Sequence, residues 1–208
     1  MRVLILCVLL VWASAVTSPF IDMWELIKDA KCLTDTYKTI ALRIYQTVGK
    51  IEPNFAKNIE LLKEYRAKVY VGAYINPCFS CDAVKQAVEI ATALKEVKID
   101  MASIDVEGTW NNERAKNVAF LKTLTAELTK LGIKYAIITG ERNWERIMGR
   151  DCNEFSTYPL WYINHDNDPE LRRFRPFGGW TTATVMAKQY AAGEVCGNSV
   201  NKDSEYKK

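Results

Sequence analysis

From residue 39 onward, short apolar stretches of strand length alternate with longer runs of helical periodicity. Thr39 to Gln46 (TIALRIYQ) and Lys68 to Ile75 (KVYVGAYI) have the β-branched and aromatic content of strands. A turn at Gly49 and Pro53 follows the first of these, and Asn54 caps a helix to about Tyr65. Asn76-Pro77 ends the second strand. A helix from Cys81 to about Leu94 then carries Val84, Ala87, Val88, Ala91 and Leu94 on one side. The strand holding Asp105 and Glu107 comes next, then a long helix from Asn111 to Leu131 stopped by Gly132, a strand from Tyr135 to Gly140 and a short helix from Asn143 to Met148. Upstream, Trp24, Ile27 and Ala30 fall on one face of a helix expected over Met23 to Lys31. Beyond residue 150 the rhythm changes. Leu160 to Asn164, Arg172 to Phe177 and Val185 to Ala191 read as strands without long helices between them. Alternation of this kind builds a parallel sheet, and the strand count at this length closes into a compact α/β barrel.

In such barrels chemistry sits at the C-terminal strand ends. There the segment Ile104-Asp105-Val106-Glu107-Gly108 places two acids one residue apart. Alternation sends Asp105 and Glu107 to one face, their backbones roughly 6.5–7 Å apart, and Ile104 and Val106 to the other. Paired carboxylates raise one another's pKa, an arrangement suited to giving a proton or stabilising a cation. A solvated strand end is the plain alternative.

The chain has 208 residues, 49% of them apolar and 11% aromatic, which suits one domain with a full core. Met1-Arg2, an apolar run from Val3 to Trp12, and Ala13-Ser14-Ala15 have the layout of a secretory signal, giving a leader over 1–15 and a domain over 16–208. No later stretch is long enough to span a bilayer. Without Arg2 the formal charge falls from +3 to +2, no footprint for nucleic acid. Five cysteines remain after the leader: Cys32, Cys78, Cys81, Cys152 and Cys196. In an oxidising compartment they form at most two bridges. Cys152 and Cys196 flank the last strands and are expected to pair; Cys78 and Cys81 pair locally, leaving Cys32 free. The CxxC at Cys78 to Cys81 has a redox reading as well as a structural one, and the structural one is favoured. His165 with Asp166, Asn167 and Asp168 could be read as a metal loop. A lone histidine in a polar turn is more often only that.

Several of these segments together resemble the glycoside hydrolase family 25 lysozymes, in particular their eukaryotic secreted branch. They are the Asp105-Val106-Glu107 strand, Val71-Gly72-Ala73-Tyr74, Tyr158-Pro159-Leu160-Trp161-Tyr162, Phe177-Gly178-Gly179-Trp180-Thr181, and Lys188-Gln189-Tyr190 with Cys196-Gly197. The resemblance implies a TIM-like barrel of five β/α units followed by three strands with little helix. It implies cleavage of the β-1,4 bond after N-acetylmuramic acid in peptidoglycan, with Glu107 as acid and Asp105 orienting or stabilising the substrate N-acetyl group. It implies no metal and no cofactor. Tyr74, Trp161 and Tyr162 fall where the family lines its groove, as sugar-binding rings. Core packing is the competing reading, and the stronger one for Tyr162. A monomer secreted or delivered to lysosomes, acting in antibacterial defence or digestion and touching neither nucleic acid nor membrane, is the matching expectation.

Two departures stand beside the matches. The family's first strand ends in an acid, and by simple order Thr17 occupies that place, with Asp22 in the approach to the first helix. Near the C-terminus the family's Val-Asp-x-Asn is replaced by Val200-Asn201-Lys202-Asp203. Reduced activity is therefore expected, and a catalytically weak or inactive glycan-binding immune factor is the alternative function.

Overall fold

A computed structural model describes residues 17–66, 69–99 and 101–206, so the expected leader lies outside the described residues. Eight strands close into a barrel: β1 (Thr17–Met23), β2 (Thr39–Gln46), β4 (Tyr70–Ile75), β5 (Met101–Asp105), β6 (Lys134–Thr139), β7 (Leu160–Ile163), β8 (Val185–Val195) and β9 (Asn198–Tyr206). A two-residue strand β3 (Lys50–Ile51) pairs with the end of β2. Around the barrel the order is β1-β9-β8-β7-β6-β5-β4-β2, and β1 pairs with β2 to close it. All neighbours are parallel except β9, which runs antiparallel to both β1 and β8. Helices α1 (Ala30–Thr36), α2 (Phe55–Leu61), α3 (Ala83–Glu96), α4 (Arg114–Lys130) and α5 (Glu141–Ile147) each follow a barrel strand. Five β/α units and three closing strands are thus present, as the resemblance implied.

Two expectations about elements are corrected. The apolar spacing of Trp24, Ile27 and Ala30 does not make a helix from Met23. Residues 17–23 are instead the first strand, bonded on both sides by β2 and β9. The helix starts at Ala30, where Asp29 caps it by accepting from the Cys32 amide at 2.9 Å. Arg172 to Phe177 is not a strand either. Its aromatic side chains face the core, with Phe174 and Phe177 packed on Tyr162 at 5.0 and 6.1 Å between ring centroids. The eighth strand is β9, whose sequence NSVNKDSEY is too polar to announce itself.

Alternation sorts the side chains into two apolar layers. Ile104, Val106, Ile137 and Leu160 face outward into the main core beneath the helices. Phe20, Ala41, Tyr74, Ile138, Trp161 and Ala187 form a second cluster inside the barrel. Fully buried Ile, Leu and Val side chains contribute about 1.5–3 kcal/mol each, so the outer layer carries most of the stability. The inner cluster supports the site above it.

One bridge was assigned to the wrong partner. Cys32 pairs with Cys196, Cys78 pairs with Cys81 as expected, and Cys152 is free. Cys196 and Gly197 form the tip of the β8–β9 hairpin, with φ of 51° and 77°. That tip rises above the mouth and lies against the segment leading into α1, where the Lys28 ammonium reaches the Gly197 carbonyl and Asn198 accepts from the Lys28 amide at 3.0 Å. Cys152 follows α5 on another side of the barrel, packed against the main core.

Candidate active site

The parallel strands bring side chains together in one pocket of about 170 Å³. Asp22 comes from β1, Arg43 from β2, Tyr74 from β4, Asp105 from β5 and Gln189 from β8. The antiparallel β9 contributes Asn201 from near its start, because its direction is reversed. Glu107 lies two residues past Asp105 and still faces inward. The Val106 amide continues the ladder by donating to Ile138 O at 2.8 Å, and Thr139 Oγ1 donates to Val106 O at 2.9 Å. Gly108, at φ +64°, then turns the chain away. Asp105 and Glu107 therefore share the C-terminal mouth.

The first-strand acid is present, and this overturns the assignment of its place to Thr17. Thr17 opens β1 opposite Tyr206, whereas Asp22 lies at the strand's other end opposite Asn201. Asp22 is 2% exposed; Oδ2 accepts from Gln189 Nε2 at 2.7 Å and Oδ1 from Asn201 Nδ2 at 3.1 Å. Asp203 stands next to it and is fully buried. Asp203 Oδ1 accepts from the Trp161 indole at 2.9 Å, and its other oxygen has no donor to receive from. Burial raises both carboxyls, Asp203 well above the usual carboxylate range. The hydrogen bond between them lowers Asp22 and raises Asp203. Three carboxyls, Asp22, Asp105 and Glu107, line the pocket, and Asp203 lies beneath it.

Asp105 and Glu107 are held differently. Asp105 Oδ2 accepts from Asn76 Nδ2 at 2.5 Å, while Oδ1 is buried with no partner. Its pKa stands well above the ordinary value, first through burial, then through the charges of Glu107 and Asp22. Glu107 is raised chiefly by burial; His165, the Asn143 hydrogen bond and Arg146 pull the other way. Asn143 Nδ2 donates to Glu107 Oε1, and Arg146 fixes Asn143 by donating to its Oδ1 at 2.9 Å. The acid is thus aimed from α5.

The three aromatic candidates separate. Tyr74 lines the pocket. Trp161 points into the barrel but lies below the pocket, against Phe20 at 5.1 Å, with its indole spent on Asp203. Tyr162 packs on Phe174 and Phe177 and also lines the neighbouring groove over the ends of β6 and β7, which Glu107 borders. Residues that pattern reading missed include Trp24 and Arg43. The Arg43 guanidinium lies 5.6 Å from the Trp24 ring centre and is anchored to buried Glu52 at 2.7 Å. Asn76, directly after β4, could have been found as the first polar residue past a strand end. Asn143, Gln189 and Asn201 carry no comparable signal. The polar turn at His165 holds an internal cation: the Lys188 ammonium donates to Asp166 Oδ1 at 2.8 Å, Asp168 O at 2.7 Å and Glu170 O at 2.9 Å.

A β/α barrel with carboxyls converging at its C-terminal mouth, one of them raised in pKa by burial and oriented from α5, suits a glycosidase. Comparison with known proteins narrows the class. A family model described as "Lysozyme-like protein 1" matches residues 20–190. The chain is 32% identical over 191 residues to "Probable GH family 25 lysozyme 2" of Dictyostelium discoideum, covering 88% of each chain. It is 28% identical over 173 residues to "Lysozyme-like protein 5" of Caenorhabditis elegans, covering 79% of each. A solved family GH25 lysozyme from Aspergillus fumigatus shares the fold with a TM-score of 0.72 at 14% identity, over 93% of this chain and 95% of that one. The chain belongs to the glycoside hydrolase family 25 lysozymes, and so to the glycosidases.

Proposed function

We propose that this protein hydrolyses peptidoglycan at the β-1,4 bond between N-acetylmuramic acid and N-acetylglucosamine. The observation that carries the reading is the unpartnered, buried Asp105 Oδ1 in a pocket walled by Glu107. An empty acceptor in that position suits an amide N–H, which the 2-acetamido group of the sugar supplies.

Burial and the charges of Glu107 and Asp22 hold the Asp105 carboxyl well above its ordinary pKa. An acetamido N–H donated to Oδ1 favours the ionised form there, and a sugar that expels water from Glu107 favours its protonated form. Substrate thereby moves the proton preference to Glu107. The Glu107 proton then passes to the bridging oxygen as the glycosidic C–O bond breaks, and the acetamido oxygen bonds to the anomeric carbon. The resulting oxazolinium charge lies beside Asp105 and Asp22. Glu107, now a carboxylate, takes a proton from the water that opens this intermediate. The glycan-binding alternative drew its support from a missing first-strand acid, and Asp22 fills that position.

Export to the cell exterior or to lysosomes, as a monomer active in defence or bacterial digestion, is part of the same proposal. Its support is the pair of disulfides, Cys32–Cys196 and Cys78–Cys81, characteristic of an oxidising compartment. Turbidity loss of a bacterial cell-wall suspension tests the enzymatic reading. Wild type clears the suspension, and Glu107→Gln, verified as folded, does not. Equal clearing by both, or by neither, refutes it.

A further inference from the structure

Glu107 walls two compartments. One is the acidic pocket that seats the sugar being cleaved. The other is a groove of about 430 Å³ over the ends of β6 and β7, whose walls include Arg142, His165, Arg173 and Arg175. An acid that protonates a bridging oxygen stands between the sugar that is cleaved and the one that leaves. The second compartment is therefore on the leaving-group side.

Its charge is opposite to that of the pocket. Arg142 lies in the first turn of α5, and Arg173 and Arg175 come from the connection that runs from β7 to β8 without a long helix. All three are exposed, and none forms an ion pair with a described carboxylate. Glu141 and Glu107 are the acids in the same lining. The connection is held in place rather than loose. Lys188, fully buried, ties residues 166–170 by three hydrogen bonds, and Phe174 between the two arginines packs on Tyr162. Guanidinium groups on an anchored loop form a fork for carboxylate or phosphate oxygens with little ordering cost.

The geometry points to a leaving-group subsite in which Arg173 and Arg175, with Arg142 opposite, bind an anionic oxygen group carried by the substrate. This rests on the peptidoglycan reading above. The anion is a carboxylate of the stem peptide on the glycan or a phosphate of a wall polymer.

Three soluble glycan preparations of matched length distinguish these sources: peptide-bearing, peptide-stripped, and peptide-stripped with teichoic acid attached. The expected result is a KM roughly tenfold lower for either the peptide-bearing or the teichoic-acid preparation than for the stripped glycan, whose only anion is the lactyl carboxylate on the sugar itself, a preference that Arg173→Gln/Arg175→Gln abolishes. The effect falls on KM rather than kcat and weakens with added salt. Preference for the peptide arm identifies the carboxylate, and preference for the teichoic arm the phosphate. Equal KM for all three, or a preference that survives in a folded double variant, overturns the subsite. If no preparation is hydrolysed, the hydrolase reading fails separately. Calorimetric binding of the same three preparations to Glu107→Gln, with and without the arginine substitutions, then decides the subsite by the same comparison.

Discussion

Trp161 donates its indole N–H to Asp203 Oδ1 at 2.9 Å, beneath the pocket floor rather than inside it. A ring expected to stack on sugar instead orients the buried Asp203 carboxyl. Trp161→Phe keeps the packing on Phe20 but leaves a buried acceptor unsatisfied, at a cost of about 1–3 kcal/mol. Denaturant unfolding should show that loss. An unchanged unfolding midpoint would mean the hydrogen bond contributes nothing.

The raised pKa of Asp203 has a consequence for stability. Its pKa is raised in the folded state, so its contribution is fully present below the unfolded carboxylate value of about 4 and is lost as pH rises through the folded value. Asp166, held low by Lys188, works in the opposite sense, so comparison with a single variant isolates the effect. In Asp203→Asn the amide oxygen can accept from Trp161 and the amide nitrogen can donate to Asp22. The variant should match wild type in melting temperature near pH 4 and exceed it at neutral pH. A variant less stable at both would show that Asp203 is held ionised.

The rate should depend on pH through Glu107, whose pKa is raised above the ordinary glutamate range chiefly by burial. As pH rises through that value the donor proton is lost, so kcat/KM falls on the alkaline side at higher pH than an exposed glutamate would give. The Asn143 hydrogen bond lowers this pKa. Asn143→Ala should therefore move the alkaline limb further up, while misaiming the acid lowers the peak rate by about ten- to a hundredfold. A limb that stays in place, or moves down, contradicts the assignment.

The Cys32–Cys196 bridge closes a span of 164 residues between α1 and the β8–β9 tip. Cys32→Ser should cost about 2–4 kcal/mol in unfolding free energy. Cys152→Ser should leave stability nearly unchanged, and thiol mapping of native protein should label Cys152 alone among the five cysteines of the described residues. Labelling at Cys32 would restore the pairing expected from sequence order.

Much of this fold was legible because the parallel strands are apolar and spaced by helices. Thr39 to Gln46 was read with the bounds it has in the structure, and Asp105 with Glu107 fell on one face by simple alternation. The ends of the chain were harder to read for a physical reason. Strands β1 and β9 turn Asp22, Asn201 and Asp203 inward, so the alternation that marks a strand is inverted where the site needs buried polar groups. Asp22 was assigned to a helix approach on the same grounds. The Cys32 pairing depended on a hairpin rising beyond the barrel, which the strand pattern of Val185 to Ala191 did not extend far enough to reveal.

Asp22 at the C-terminal end of β1 removes the ground on which reduced activity was expected. Asp22→Asn should lower kcat on the order of a hundredfold by removing negative charge beside the developing cation. Thr17→Asp, at the far end of β1, should not raise activity.

The most direct test of the account is the identity of the new reducing ends. Purified protein is incubated with teichoic-acid-free peptidoglycan, the products are reduced with borohydride and hydrolysed, and the sugar alcohols are identified by mass spectrometry. Wild type should yield muramicitol, and Glu107→Gln should yield none above background. Glucosaminitol in place of muramicitol, or muramicitol formed equally by the Glu107→Gln protein, would contradict the mechanism built on Glu107 and Asp105.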